Sequence, residues 1–148
     1  MPSHLPAAVL NEPVSLALFI PVVLALAESV AIQSVTLALD ALRGLVPSWA
    51  DLGRRLRYEA ATGFLLGAAA GFLVAGLAAG WKGVPELFGI VAGGIGVGVT
   101  VAAVSGVAVP YLPHLFRRDP RVAAGPIALA CADTLALPAY FNLARALT

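Results

Sequence analysis

The sequence predicts an all-α integral membrane protein with four transmembrane helices, and three observations carry that prediction. The 148 residues are 60% hydrophobic and 11% charged, whereas a soluble domain carries about a quarter charged residues and needs them for its surface. Mean hydropathy is +0.93. The apolar residues fall into long uninterrupted runs, separated by the places where charges, prolines and tryptophans collect. Crossing roughly 30 Å of hydrocarbon takes about 20 helical residues, so this length holds four spans with short connections and leaves no room for a separate soluble domain.

The expected division is a short N-terminal segment, 1–13, followed by a transmembrane domain, 14–147. Its spans run about 14–42, 60–81, 87–113 and 122–147. The run from Val14 ends Ala25-Leu26-Ala27, like a signal-peptide cleavage site, but no Lys or Arg precedes it and the apolar pattern continues to Leu42, so an uncleaved span is expected. Pro47-Ser48-Trp49-Ala50-Asp51, followed by Arg54, Arg55, Arg57 and Tyr58, reads as an interfacial helix over about 47–59 lying along the membrane, with Ser48 as its cap.

Basic residues set the expected orientation. Arg43, Arg54, Arg55 and Arg57 fall in the first connection and Arg117, Arg118 and Arg121 in the third, against Lys82 in the second and Arg145 at the C-terminal end. The positive-inside rule makes the Arg-rich side cytoplasmic, so in a multi-pass cell-membrane protein both termini face outward. A net charge of +1 gives no electrostatic reason to bind nucleic acid.

Gly63, Gly67 and Gly71 in the second span and Gly89 and Gly93 in the third are spaced by four residues. Small-residue ridges of this kind let helix backbones approach closely, so these two spans read as packing scaffold. The lone Cys131 excludes an internal disulfide and reads as a small buried hydrophobe.

Ionisable groups in hydrocarbon are costly, about 2.5–3.5 kcal/mol each on insertion scales, and call for a reason. Glu28 and Asp133 are the deep ones: at about 1.5 Å per residue, Glu28 lies about 21 Å from the outer boundary and Asp133 about 17 Å from the inner one. Ser29, Gln33, Thr36 and Asp40 fall in a stripe about 60° wide along the first span, with Glu28 about 100° off it. Thr134 neighbours Asp133, and Pro21 and Pro138 free backbone carbonyls in the same two spans.

Carboxylates, amides, hydroxyls and carbonyls make an oxygen-only environment, which selects hard cations. Mg2+ keeps several waters and takes one or two carboxylates, whereas softer metals call for clustered His, Met or Cys. The expected metal-site residues are therefore Asp133 and Glu28, with Ser29, Gln33, Thr36, Asp40 and Thr134 lining the path. His4 and His114 lie near span ends. With neither a phosphate-binding loop nor a Ser-His-Asp arrangement legible, an enzyme is not expected.

Several segments together resemble the membrane domain of the MgtE family of magnesium channels and transporters. Phe19-Ile20-Pro21-Val22-Val23 running into Gln33-Ser34-Val35-Thr36 is similar to that family's Phe-x-Pro and Gln-Ser-x-Thr segment. Arg54-Arg55-Leu56-Arg57-Tyr58-Glu59 before Gly63 and Gly67 is similar to the basic-Glu start of its Gly-rich helix. Gly106, Pro110, Asp119-Pro120, Ala123, Pro126 and Asp133 follow at the family's spacing.

The resemblance implies a homodimer with an ion path at the subunit interface, lined here by the first and fourth spans, and an ion-binding role for Asp133. It also implies a four-helix version without the family's first helix and cytoplasmic sensing domains. Where the family commonly has Gly-Gly-Asn-Ala-Gly-Thr, this chain reads Ala27-Glu28-Ser29-Val30-Ala31-Ile32. The expected function is divalent cation transport, Mg2+ first. The competing readings are a non-conducting membrane subunit that pairs with a related chain and a proton-coupled cation transporter in which Glu28 titrates.

Overall fold

The computed structural model describes residues 7–44, 46–82, 86–116 and 124–147. Four helices account for nearly all of them: α1 (Ala7–Ala41), α2 (Trp49–Lys82), α3 (Glu86–Leu115) and α4 (Ala124–Leu147). Each contains a stretch long and apolar enough to cross a membrane, at Ala17–Ala41, Trp49–Gly80, Phe88–Leu115 and Gly125–Leu143. His4, Arg117, Arg118, Asp119, Pro120, Arg121 and Ala123 lie outside the described residues.

The segment 47–59 is not a helix of its own: from Trp49 onward it is the start of α2. Ser48 does cap, but it caps α2 itself: the Asp51 amide donates to Ser48 Oγ at 3.2 Å and the Ser48 amide donates to Asp51 Oδ2 at 3.3 Å, a reciprocal capping box. From Trp49 no proline interrupts the run. Helix propagation adds a hydrogen bond per residue without a new nucleus, and a sharp kink needs a cause that this stretch lacks. The arginines thus stand on the opening turns of a continuous α2. The turn before it uses Gly44, whose φ of 78° is the left-handed conformation that follows many helix ends.

Helix directions follow from the close contacts. A Cβ built on Gly63 would fall 2.8 Å from Ala103 Cβ, on Gly67 2.8 Å from the Gly96 carbonyl oxygen, and on Gly71 2.5 Å from the Ala92 carbonyl oxygen. Rising numbers in α2 meet falling numbers in α3, so the two are antiparallel and their backbones touch along this seam. Gly98 of α3 lies against Val23 of α1 and Ala136 of α4, whereas Gly106 lies against Ala31 and Ser34; α1 is therefore parallel to α3. Gly93 meets Leu143 of α4, which makes α4 antiparallel to α3. Gly89 has nothing within 4 Å of a built Cβ, so it belongs to no packed ridge in the described chain.

α3 is the hub: α1, α2 and α4 all pack on it, and α1 also packs on α4. Its core is Val91, Ile95 and Val99 with Val23, Ala75 and Tyr140. Where α1, α3 and α4 meet, Ala27, Ala31, Ala102, Ala132 and Ala136 form an all-alanine layer, which brings three backbones close without any polar filling.

Candidate ion-path face

α1 buries Val23, Ala27, Ala31, Ser34, Val35 and Ala38 against the rest of the bundle. At 100° per residue, the centre of that buried face lies about 180° from the stripe of Ser29, Gln33, Thr36 and Asp40. All four are exposed on the chain, so the polar stripe faces squarely away from the bundle. Among the described residues its groups are tied only to their own helix and the turn that follows it. Gln33 Nε2 donates to Ser29 Oγ at 3.5 Å, Thr36 Oγ1 donates to the Ile32 carbonyl at 2.8 Å, and Asp40 pairs with Arg43 at 3.5 Å.

Glu28 occupies a different flank. It sits one heptad before Val35, and Val35 clusters with Ala128 of α4, so Glu28 lies on the side of α1 nearest α4. Heights can be read from the level where Gly98 meets both Val23 and Ala136. Glu28 is about 7.5 Å beyond that level along α1, and Asp133 is about 4.5 Å beyond it in the same direction along antiparallel α4. The two acids therefore stand within about 3 Å of one height. Asp133 is half-buried beside the alanine layer and Glu28 is exposed. Neither has a hydrogen bond or ion pair with another described residue.

Backbone oxygens add to this face. Pro138 stands inside α4 and has no N–H to offer, so the Thr134 carbonyl loses its helical partner one residue from Asp133. Thr134 is exposed, and so is Asn142, whose Nδ2 donates to the Pro138 carbonyl at 2.8 Å. Among the described residues no three His, Cys, Asp or Glu side chains converge as a metal cage. Cys131 is a half-buried free thiol.

Sequence reasoning passed over the most deeply buried acid among the described residues. Glu59 of α2 is 4% exposed; Ser34 Oγ of α1 donates to its Oε2 at 3.2 Å, and Arg55 Nε lies 3.7 Å from its Oε1. Ser34 is adjacent to Gln33, so this buried contact grips α1 from behind its polar stripe. A Ser next to a striped residue and a Glu four positions after an Arg were both visible. Their meeting, 25 positions apart, was not.

A bundle of four helices, each with a stretch long and apolar enough to cross a membrane, with an outward polar face and two unpaired acids at one height, defines the class as an integral membrane protein. The comparisons make the class specific. A model of the MgtE family, described as a divalent cation transporter, matches residues 20–143, and the chain belongs to that family. It is 28% identical over 137 residues to the magnesium transporter MgtE of Bacillus subtilis, covering 93% of this chain and 30% of that protein. It is 30% identical over 140 residues to the magnesium transporter MgtE of Thermus thermophilus, covering 95% and 31%. The corresponding figures for the Enterococcus faecalis magnesium transporter MgtE are 27% over 137 residues, 93% and 30%. The chain thus spans about 30% of the length of these relatives.

Proposed function

We propose that the chain transports a divalent cation, Mg2+ first among them, along a path formed where the α1 and α4 faces of two copies meet. One observation carries this reading: the polar face of α1, with unpartnered Glu28 and Asp133 at one height, is turned away from its own bundle. Such a face is costly against lipid. A second copy that covers it and encloses water removes the cost and doubles the acids at the site.

In this reading Asp133 of each copy holds a partly hydrated ion near the midplane. Mg2+ dehydrates reluctantly and commonly takes one or two carboxylates, which suits a sparse pair of acids better than a closed cage. Gln33, Thr36, Ser29 and Thr134 line the approach, Glu28 adds negative charge at the ion's depth, and Asp40 stands toward the Arg-rich mouth. Retained water keeps binding weak enough for release. In the same reading the Arg-rich mouth is cytoplasmic, by the positive-inside rule, and both ends of the chain lie outside.

The test is Mg2+ flux into proteoliposomes. Asp133→Ala is expected to abolish uptake while the protein still reconstitutes; undiminished flux in that variant refutes the assignment of the ion site.

A further inference from the structure

At the α1–α2 end of the bundle an open cavity of about 530 Å³ is lined by Ala41, Leu42, Val46, Pro47, Asp51, Arg54, Arg55, Tyr58 and Tyr111. Its hydrogen-bonding balance is one-sided. Both Asp51 oxygens are engaged, Oδ2 by the Ser48 amide and hydroxyl and Oδ1 by Arg54 Nη2 at 2.7 Å. Arg54 spends one of its five N–H groups there. Arg55 forms an ion pair with Glu59 at 3.7 Å, and its buried Nε has no hydrogen-bond partner among the described residues. Tyr58 and Tyr111 add two phenolic hydroxyls without a described partner. Arg54 and Arg55 carry more N–H donors than Asp51 and Glu59 engage, and the two phenolic hydroxyls can donate as well. A ligand that complements the cavity brings several acceptor oxygens and negative charge, which is the chemistry of a phosphate.

The surroundings say where that phosphate comes from. Val46 and Tyr58 are exposed at the cavity, and at the same end of the bundle exposed Trp49 packs edge-on to Phe116 at 6.4 Å; Trp and Tyr gather at the headgroup level of a bilayer. Above the cavity, Asp51, Tyr58, Leu65 and Phe72 follow at seven-residue spacing on one face of α2, with Leu65 68% and Phe72 61% exposed. From Tyr58 to Phe72 this apolar stripe runs about 21 Å, enough to cover the roughly 15 Å of one leaflet's chains. A soluble phosphate has no use for such a stripe.

We infer that this cavity binds a membrane phospholipid, its phosphate held by Arg54 and Arg55 with the Tyr58 and Tyr111 hydroxyls, and an acyl chain laid along Leu65 and Phe72. The site is independent of the ion-path reading and lies on another face of the bundle.

Native mass spectrometry of the purified chain in a non-ionic detergent, titrated with phosphatidylglycerol, is expected to show one lipid retained per chain. Arg54→Ala should lower retention about tenfold, as expected for one lost charge-assisted hydrogen bond. Arg43→Ala removes an equal charge from the same end without touching the cavity and should lower retention far less. Leu65→Ser should weaken retention too, because the acyl chain loses its support. Equal losses in the two arginine variants would mean diffuse charge attraction and overturn the site. Displacement of the lipid by millimolar inorganic phosphate, or indifference to Leu65→Ser, would overturn the lipid in favour of a soluble phosphate.

Discussion

Glu59 shows how much one side chain can decide in this bundle. A carboxylate taken out of water must be compensated, and here Ser34 and Arg55 supply the compensation from another helix and from the preceding turn of the same one. Removing the hydroxyl leaves a buried acceptor unsatisfied, so Ser34→Ala should destabilise the protein by about 1–3 kcal/mol. Glu59→Gln keeps an amide oxygen for Ser34 while discarding the charge, and should cost less than Ser34→Ala. Unfolding in mixed detergent micelles checks the order; the reverse ranking would mean that the Arg55 ion pair outweighs the Ser34 bond. Nothing local to either residue announced this contact. Serine and glutamate are both ordinary near a membrane surface, and only the approach of α1 to α2 buries them together.

Among the elements, the α2–α3 seam is the most exacting. Gly63, Gly67 and Gly71 hold α2 backbone to backbone against α3, whereas Gly76 and Gly80 of the same helix have nothing within 4 Å of a built Cβ. Gly71→Val should therefore separate the helices and reduce folded yield severely, and Gly76→Val should be tolerated. Thermal stability in detergent distinguishes the two; equal damage would show that both positions suffer from helix propensity alone and not from packing. The four-residue glycine spacing was legible as a seam because membrane helices associate through close packing. Which α3 positions answer it was not, because the spacing within one helix does not say which face its neighbour takes: they are Ala92, Gly96 and Ala103, whereas Gly89 meets nothing and Gly93 meets Leu143 of α4. The continuous α2 was missed for a related reason: a basic, aromatic stretch marks the interface equally well whether a helix lies in it or passes through it.

For the whole molecule, the outward polar face of α1 makes a prediction about assembly. In a Cys131→Ala background, Gln33→Cys should form a disulfide between two copies under mild oxidation, since residues that line a shared path come close across its symmetry axis. Leu65→Cys, on the exposed apolar face of α2, should remain monomeric under the same treatment. Crosslinking at Leu65 with none at Gln33 would put the partner on the wrong side of the bundle and remove the support for the proposed path.

Sequence alone determined that the chain is a four-helix membrane protein, because hydrocarbon demands long apolar helices and their lengths can be counted. It also determined that α1 carries a polar stripe, since helical periodicity projects one face directly onto residue spacing. Tertiary structure alone decided where that stripe points, that Asp133 and Glu28 share a height, and that Glu59 is sealed behind α1. Those are relations between helices, fixed by which small residues let which backbones touch, and spacing within a single helix carries no record of its neighbour.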